Sequence, residues 1–267
     1  MPYKSINFSN YSSIKIGPKL DVYILDTCDM MSMKDAYLIG SCNNILVGDN
    51  PPPLMKLSKI YDYIKIEDGT LKIGGATPSG KIASFCKKNN ISDFEFLSHL
   101  PGTLGGLVYM NAGLKEYEIF NHLISIHTCR GEFSKSELEY GYRYTNIDSP
   151  ILEATFEINA KGFSELRVEM FKKMRSNQPS IPSAGSCFKN PQGDYAGRLI
   201  EAVGLKGVKK GDMEFSTEHA NFLVNHGNGT YKDAIHLIKE AKRLVLEEFA
   251  IELDLEIQIL DEEFITI

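Results

Sequence analysis

The chain has 267 residues, of which 43% are hydrophobic and 24% are charged, and a formal net charge of −6. This length is above the usual single-domain range and predicts two domains with substantial cores. The acidic balance excludes the clustered positive charge by which most nucleic-acid-binding proteins are recognised.

The first half of the chain is rich in predicted strands. Short alternating runs broken by turn residues predict strands at 20–26, 37–40, 45–47 and 61–66. Ser79 is expected to cap a helix over 81–89, and residues 123–129 are expected to begin a hairpin. Together with the helices that follow, this pattern predicts an α+β fold.

From Ser164 the apolar residues recur at helical spacing, and the predicted helix over 196–203 ends at Gly204. A boundary near residue 160 follows from this change of period. The predicted domains are 1–160, with subdomains of roughly 1–50 and 51–160, and 161–267.

The C-terminal segment combines a helix with a strand. Thr230 and Asp233 resemble a capping box at the start of an amphipathic helix. In the predicted closing strand, apolar residues at 253, 255, 257 and 259 alternate with polar ones, so Glu256 shares the polar face. A carboxylate in such a place is usually a solvated surface group.

Two glycine-containing loops could hold a pyrophosphate. Residues 40–45 (GSCNNI) and 101–106 (PGTLGG) each follow apolar residues and present closely spaced N–H groups with little side-chain obstruction. Residues 110–113 (MNAG) form a third short glycine-containing segment. Neither of the two loops is a GxGxxG, so a Rossmann fold is not supported, and each alone could be a tight turn.

A different segment, 75–81 (GATPSGK), matches the pattern of a phosphate loop. Ile82 replaces the Ser or Thr that would hold magnesium, and Pro78 lacks the N–H that such a loop donates. A nucleoside-triphosphatase is therefore an alternative that these residues disfavour.

Ser186 and Arg143 are the strongest candidates for chemistry. Residues 185–191 (GSCFKNP) place a hydroxyl between a flexible glycine and polar side chains, although the same residues are common in turns. Arg143 lies among tyrosines that could hold its guanidinium for bidentate binding of a carboxylate, and a stacked surface arginine is equally compatible.

The cysteines and histidines show no metal-ligand spacing, so no metal site is expected. The five cysteines are scattered and indicate no disulfide framework, which fits a reducing compartment. Residues 1–7 lack the apolar core of a signal peptide, and no run is apolar enough to span a bilayer. A cytoplasmic protein is expected.

Seven segments, in order, resemble the MurB family, the UDP-N-acetylenolpyruvoylglucosamine reductases of bacterial cell-wall synthesis. The resemblance covers nearly the whole chain, and its compact subtype fits best because the stretch from Arg143 to Ser186 is too short for an extra tyrosine-bearing loop. The segments are 40–46 (GSCNNIL), 100–113 (LPGTLGGLVYMNAG), 140–145 (YGYRYT), 178–191 (QPSIPSAGSCFKNP), 196–207 (AGRLIEAVGLKG), 219–225 (HANFLVN) and 253–260 (LDLEIQIL).

The resemblance implies an FAD-binding domain of the vanillyl-alcohol-oxidase (PCMH) type, followed by a smaller α+β substrate-binding domain whose last strand returns toward the first subdomain. It implies noncovalent FAD, reduction by NADPH, and conversion of UDP-N-acetylenolpyruvoylglucosamine to UDP-N-acetylmuramate in peptidoglycan precursor synthesis. The partner is then a small UDP-sugar, with no nucleic acid and no membrane, and the chain is expected to be a monomer or weak oligomer.

The resemblance also implies residue roles. Ser186 looks like the proton donor, and Arg143 and Glu256 look like the pair that stabilises the enolate. The implied FAD-binding residues are Gly40, Ser41, Asn43, Asn44, Ile45, Pro101, Gly102, Thr103, Gly105, Gly106, Asn111, Ala112 and Gly113. The implied substrate-binding residues are Asn190, Lys189, Arg175, Gln178 and His219.

The chain departs from the family pattern at residues 10–18, at 114–117 and at Leu260-Asp261, where Ile-Gly is usual. Two further alternatives are another flavin oxidase or dehydrogenase of the same fold and a binding module without catalysis. The former leaves Ser186 and Glu256 without a task, and the intact trio argues against the latter.

Overall fold

The computed structural model describes residues 2–28, 36–159 and 161–265. In chain order its strands are β1 Tyr3–Asn7, β2 Lys19–Leu25, β3 Tyr37–Leu38, β4 Ile45–Val47, β5 Leu54–Leu57, β6 Ile64–Glu67, β7 Thr70–Gly74, β8 Gly113–Leu114, β9 Tyr117–Glu118, β10 Leu123–Thr128, β11 Gly131–Ser134, β12 Tyr140–Gly141, β13 Tyr144–Thr145, β14 Ile151–Glu157, β15 Ser183–Ser186, β16 Lys209–Lys210, β17 Met213–Phe215, β18 Phe222–Asn225 and β19 Gln258–Leu260. Its helices are α1 Phe8–Tyr11, α2 Ser79–Lys88, α3 Leu104–Tyr109, α4 Glu165–Met174, α5 Ala196–Ala202, α6 Tyr231–Phe249 and α7 Glu262–Ile265.

The chain divides into two compact units, each built from several segments. Unit 1 comprises Met1–Tyr3, Tyr23–Ser41 and Leu54–Ser176, and unit 2 comprises Lys4–Val22, Cys42–Pro53 and Asn177–Ile267. The predicted domain bounds, 1–160 and 161–267, differ from these segments in the first 53 residues and near residue 176. As independently folding domains they remain a prediction.

Unit 1 is organised around an antiparallel sheet with strand order β11-β10-β14-β7-β6. Alternate residues of β7 and β14, such as Leu71, Ile73, Ala154 and Phe156, are almost fully buried in one core together with apolar residues of α2 and α3. Burial with a period of two is typical of strands that have one face in a core. The predicted hairpin is present as β10–β11.

The predicted α2 starts earlier than expected. Ser79 is the first helical residue and Pro78 precedes it, so no side chain caps this helix. Proline is well tolerated there because its fixed φ suits the chain entering a helix. The Ser79 N–H instead donates to Gly102 O at 2.9 Å.

A second, smaller part of unit 1 contains a disulfide. The second half of β2 and β3 both pair in parallel with β5, and Cys28 follows β2. Cys28 is bonded to Cys129 at the β10–β11 turn, with the two Cα atoms 5.4 Å apart and a sequence separation of 101. The absence of any disulfide was therefore wrongly predicted, because tertiary pairing alone brings these distant cysteines together.

Unit 2 packs two helices on an antiparallel sheet of order β15-β18-β17-β16. The apolar stripe of α6 is buried at Ala234, Ile238, Ala241 and Val245. The Thr230 hydroxyl accepts a hydrogen bond from the Asp233 N–H at 3.1 Å, which confirms the predicted cap of this helix.

The closing strand is shorter than the alternating sequence predicts. Only Gln258–Leu260 form a strand, which pairs in parallel with β4, while Leu255 makes an isolated bridge with Phe188. Leu253 and Ile257 are buried as predicted, but the phase changes at Leu260. The residue Leu255, before Ile257, pairs with Phe188, whereas the residues after Ile257 pair with β4. These two pairings replace the single strand that the alternation predicted.

The disulfide generates a direct prediction. With five cysteines in the chain, of which Cys42, Cys86 and Cys187 carry free thiols, the denatured oxidised protein should titrate three thiols and the reduced protein five. A thiol reagent in guanidinium, applied before and after reduction, measures both numbers. Substituting Cys28→Ser should expose the thiol of Cys129, and five thiols before reduction of the wild-type protein would contradict the bond.

Candidate active site

Three chain segments of unit 1 approach one another closely at glycine residues. They are the end of the 36–41 segment at Gly40 and the loops 75–79 and 101–106. Three main-chain hydrogen bonds of 2.8 to 2.9 Å join the latter two, from Ser79 N–H to Gly102 O, from Leu104 N–H to Thr77 O, and from Gly105 N–H to Gly75 O. Backbone therefore faces backbone here, with few side chains between the loops.

The close approach of these loops depends on missing Cβ atoms. A Cβ on Gly40 would lie 2.5 Å from the Oγ1 of Thr103, and one on Gly75 would lie 2.0 Å from the main-chain oxygen of Ile151. Such distances are shorter than van der Waals contact. Gly40 and Thr103 were both predicted to bind the cofactor, so the structure brings members of the two predicted loops together.

The loop 75–79 was not predicted to contribute to the site. Its resemblance to a phosphate loop drew attention to Lys81, whose ammonium group is instead paired with the Asp62 carboxylate at 2.8 Å. Ser79 and Gly105 use their N–H groups within the protein, as described above. The detectable signal was a double glycine, Gly74-Gly75, between a strand and a helix, which favours close backbone packing.

Arg143 lies at the turn of the β12–β13 hairpin, at φ +55°. Its guanidinium donates to Gly113 O at 2.9 Å and to Asn111 O at 3.5 Å, and it stacks 5.1 Å above the ring of Tyr142. These contacts hold the guanidinium against the predicted 111–113 segment. A guanidinium has a planar arrangement of N–H donors that matches a carboxylate or phosphate.

Asn111 is fully buried and organises this region. Its amide donates to the Glu118 carboxylate at 2.9 Å and to Gly141 O at 3.0 Å, and its oxygen accepts from the Phe120 N–H at 3.4 Å. The side chain thus links three chain segments of unit 1. Its predicted role in cofactor binding remains a prediction.

Ser186 ends β15 at a bulge in unit 2. Ser183 pairs with Val224 and Ser186 with Phe222, so three steps along β15 lie opposite two along β18. Gly185, at φ +80°, adopts the left-handed backbone that the bulge requires. Bulges commonly redirect a side chain next to an active site.

Glu256 is tied to the residue that follows Ser186. The Glu256 N–H donates to Cys187 O at 2.9 Å. Burial, and to a lesser extent the nearby Glu256 carboxylate, raises the pKa of the Cys187 thiol. The main-chain contact that fixes Glu256 is therefore made by the residue directly after Ser186.

The predicted cofactor residues 43–45 run beside this pair. The Asn44 amide donates to Glu256 O at 2.8 Å, and Ile45 pairs with Gln258. A Cβ on Gly185 would lie 4.0 Å from Asn43 O. Unit 2 therefore gathers part of the predicted cofactor loop and two members of the predicted catalytic trio.

Each predicted substrate-binding residue has its own contacts or degree of burial. The Asn190 side chain accepts from the Ala196 N–H at 3.1 Å at the start of α5, and the Lys189 N–H donates to Asp254 O at 2.8 Å. His219 accepts from the Asn221 N–H at 3.3 Å, and burial lowers the pKa of its imidazole. Burial also lowers the pKa of Arg175, which follows α4, and Gln178 is half-buried.

The predicted site residues are distributed over both units. Unit 1 holds Arg143, Arg175, Gly40, Ser41, Pro101, Gly102, Thr103, Gly105, Gly106, Asn111, Ala112 and Gly113. Unit 2 holds Ser186, Glu256, Asn43, Asn44, Ile45, Gln178, Lys189, Asn190 and His219.

The family departures have local explanations where the contacts are clear. Ser12 is fully buried, and its hydroxyl bonds to Phe8 O at 2.8 Å and Ile16 O at 3.1 Å. Asp261 is also buried and accepts from the N–H groups of Asn50 and Glu263, each at 3.1 Å. Both residues thus satisfy buried main-chain groups.

Across residues 2–28, 36–159 and 161–265, no group of three or more His, Cys, Asp and Glu side chains is arranged to hold a metal ion. Across the same ranges, no helix has both the length and the apolar character needed to cross a membrane.

Comparison with known proteins identifies relatives over nearly the whole chain. A family model described as the C-terminal domain of UDP-N-acetylenolpyruvoylglucosamine reductase matches residues 176–260. The enzyme of that name from Campylobacter jejuni is 46% identical over 261 residues, covering 96% of this chain and 99% of the relative. That from Helicobacter pylori is 43% identical over 256 residues, covering 96% and 98%.

A solved structure agrees with these sequence matches. The UDP-N-acetylenolpyruvylglucosamine reductase (MurB) of Thermus caldophilus superposes with a TM-score of 0.82 at 26% identity, covering 97% of this chain and 98% of that one. The predicted fold class is confirmed: α+β, with a domain of the vanillyl-alcohol-oxidase type followed by a C-terminal domain.

Relatives that are all reductases, on a matching fold, place the protein among the oxidoreductases, as predicted. More narrowly, the chain belongs to the UDP-N-acetylenolpyruvoylglucosamine reductase, or MurB, family.

Proposed function

We propose that this protein reduces the enolpyruvyl ether of UDP-N-acetylenolpyruvoylglucosamine to UDP-N-acetylmuramate, with bound FAD and with NADPH as reductant. The overall reaction consumes one NADPH and one proton for each double bond reduced. The product serves peptidoglycan precursor synthesis, and the reaction belongs in the cytoplasm. Family membership supports the reaction, and the hydrogen bond between Glu256 N–H and Cys187 O supports the assignment of the chemical step to this chain.

The glycine loops of unit 1 are suited to a dinucleotide. The chain segments approach closely at Gly40, Gly75 and Gly105. Glycine-containing loops with closely spaced N–H groups are a common setting for phosphates, such as those of FAD. We assign FAD contacts to the predicted residues and to the loop 75–79. When bound, FAD supplies hydride chemistry, taking a hydride from NADPH and giving it to the enolpyruvyl double bond.

Ser186 is assigned the proton that completes the reduction. Addition of hydride to one carbon of the double bond leaves negative charge on the other, which adjoins the substrate carboxylate. The Ser186 Oγ–H donates its proton to that second carbon. The bulge at Gly185 fixes the direction of this hydroxyl, and a fixed donor lowers the barrier more than a mobile one.

Arg143 and Glu256 are assigned to the charge that develops on the substrate carboxylate. The guanidinium is held by Gly113 O and lies over the ring of Tyr142, and a positively charged guanidinium of fixed orientation is suited to binding a carboxylate. An ionised Glu256 would oppose that charge, so we assign Glu256 a protonated or cation-bonded state in which it donates rather than repels.

The remaining predicted residues are assigned to the uridine diphosphate and the sugar. Arg175 is half-buried directly after α4, and a bound diphosphate would compensate its positive charge for the solvent lost by burial. Lys189, Asn190, Gln178 and His219 complete the set that the family resemblance implies.

The function is tested by spectroscopy of the purified protein. We expect flavin absorbance that is bleached by NADPH without oxygen and that returns when UDP-N-acetylenolpyruvoylglucosamine is added. A colourless protein that cannot be reconstituted with FAD would refute the proposal. Bleaching without recovery by the UDP-sugar would identify a different flavin reductase.

Gly40→Ala should weaken FAD binding. The new methyl group would lie 2.5 Å from Thr103 Oγ1, and relieving such a contact in a packed region costs about 1–3 kcal/mol. The dissociation constant for FAD should therefore rise about 5- to 150-fold. Fluorescence titration of the apoprotein with FAD measures it.

Gly80→Ala is the matched control for this substitution. Gly80 lies in α2 with nothing within 4 Å of its added Cβ, so its FAD affinity should equal that of the wild type. Equal affinities of all three proteins would remove Gly40 from the cofactor site.

Ser186→Ala should separate the two half-reactions. Reduction of the flavin by NADPH needs no proton from Ser186 and should continue at the wild-type rate. Reoxidation by the UDP-sugar should slow about 10²- to 10⁴-fold, the usual contribution of a general acid. Anaerobic stopped-flow absorbance follows each phase.

Ser183→Ala provides a control on the same strand, because Ser183 is also half-buried but pairs before the bulge. It should reoxidise normally. Normal reoxidation in Ser186→Ala as well would disprove the assignment of the proton to Ser186.

A further inference from the structure

Asn221 precedes β18, and its side chain acts as part of the sheet. The side chain is 2% exposed. Its oxygen accepts from the Phe188 N–H at 2.9 Å, and its amide nitrogen donates to Phe188 O at 2.7 Å. The main-chain oxygen of Asn221 also accepts from the Cys187 N–H at 2.7 Å.

The bulge explains why a side chain is needed there. The pairing of β15 with β18 reaches Ser186 and Phe222, and Phe222 is the first residue of β18. On the side that faces β18, this strand therefore offers no residue to pair with Phe188, which is fully buried. A primary amide carries both an acceptor and donors, so Asn221 replaces the missing peptide group.

The opposite edge of the same segment holds Glu256. Phe188 and Leu255 form an antiparallel bridge, flanked by hydrogen bonds from Glu256 N–H to Cys187 O at 2.9 Å and from Lys189 N–H to Asp254 O at 2.8 Å. The segment 186–189 is therefore held between Asn221 on one side and residues 254–256 on the other.

We infer that Asn221 is a positioning residue that sets where the Ser186 hydroxyl and Glu256, which are held together, stand during proton transfer to the substrate. The inference rests on the proposed function of Ser186. Without the Asn221 amide, the buried N–H and C=O of Phe188 lose their partners, and the segment must shift to satisfy them. Such a shift moves Ser186 and Glu256 together with Cys187, which is linked to both.

Asn221→Asp is the informative substitution, because its effect depends on protonation. A neutral carboxyl can accept from the Phe188 N–H and donate its O–H to Phe188 O, as the amide does. An ionised carboxylate cannot donate and places its charge against that carbonyl. Burial raises the pKa of such a carboxyl, so both forms should be accessible between about pH 5 and 9.

The expected result is a pH-dependent loss confined to one half-reaction. At high pH, reoxidation of the flavin by the UDP-sugar in Asn221→Asp should be about 10²-fold slower than in the wild type, the usual effect of a displacement of about 1 Å. At low pH, the reoxidation rate of Asn221→Asp divided by that of the wild type should approach one. Reduction by NADPH should be unaffected, and Asn221→Leu should be slow in reoxidation at every pH.

The ratio of the reoxidation rates of Asn221→Asp and the wild type, taken at each pH, reports the ionisation of the new carboxyl alone. Cys187, Lys189, Asp254 and Glu256 on the facing segments, and His219 on the same turn, also titrate or carry charge. These groups are present in both proteins, so their common contribution cancels in the ratio.

Asn225→Asp is the matched control. Asn225 is also 2% exposed, donates to Ile14 O at 2.9 Å and accepts from the N–H groups of Gly227 and Gly229, but it lies at the other end of β18. The substitution Asn225→Asp should lower the melting temperature, but the rate of flavin reoxidation should show no pH-dependent loss relative to the wild type. Amide hydrogen exchange of residues 186–190, measured on the protein without FAD, should accelerate only in Asn221→Asp.

Wild-type reoxidation in Asn221→Asp at all pH values, or the same pH-dependent loss in Asn225→Asp, would overturn the inference. If Asn221→Asp does not fold, Asn221→Ser enters the same assay, and unchanged reoxidation or unchanged exchange there would overturn it equally. Failure of the wild type in both half-reactions would instead refute the proposed function and leave the exchange result to decide the placement of the segment.

Discussion

The hydrogen bond from Glu256 N–H to Cys187 O is the contact on which the candidate chemistry depends. It joins two segments that lie about seventy residues apart in the chain, one carrying a hydroxyl and the other a carboxyl. Because main-chain groups make the bond, it does not itself involve the Cys187 thiol or the Glu256 carboxyl. The segment that contains Cys187 is also held by the buried side chain of Phe188 and by the Asn221 amide.

The two units use glycine for different physical purposes. In unit 1, Gly40 and Gly75 are needed because a Cβ would collide with the Thr103 side chain or with the main-chain oxygen of Ile151 in β14. In unit 2, Gly185 is needed because its φ of +80° is costly for other residues, while an added Cβ would meet nothing closer than 4.0 Å. The first use lets neighbouring segments pack closely, and the second directs one side chain.

Regular periodicity allowed much of the fold to be predicted from sequence. The stripe of α6 and its Thr230 cap are local signals, and both were predicted correctly. Long-range partners were less accessible: the alternation over 253–259 indicated one strand but could not reveal that Phe188 and β4 divide it. Cys28 and Cys129 meet only through tertiary pairing, and the role of the Asn221 side chain had no local signal because its partners lie 33 positions away.

The segmented composition of unit 2 has a consequence for biosynthesis. Its core contains Ile14, Ile16 and Leu46 from the beginning of the chain together with Leu253 and Ile257 near its end. During translation, the early residues of unit 2 lack their partners until almost all of the protein has been made, whereas the largest segment of unit 1, Leu54–Ser176, is continuous and is complete before the last segment of unit 2 begins. Unit 2 is thus the last part to mature, and a chain stalled late in translation would have the glycine loops of unit 1 in place but not the contact between Cys187 and Glu256.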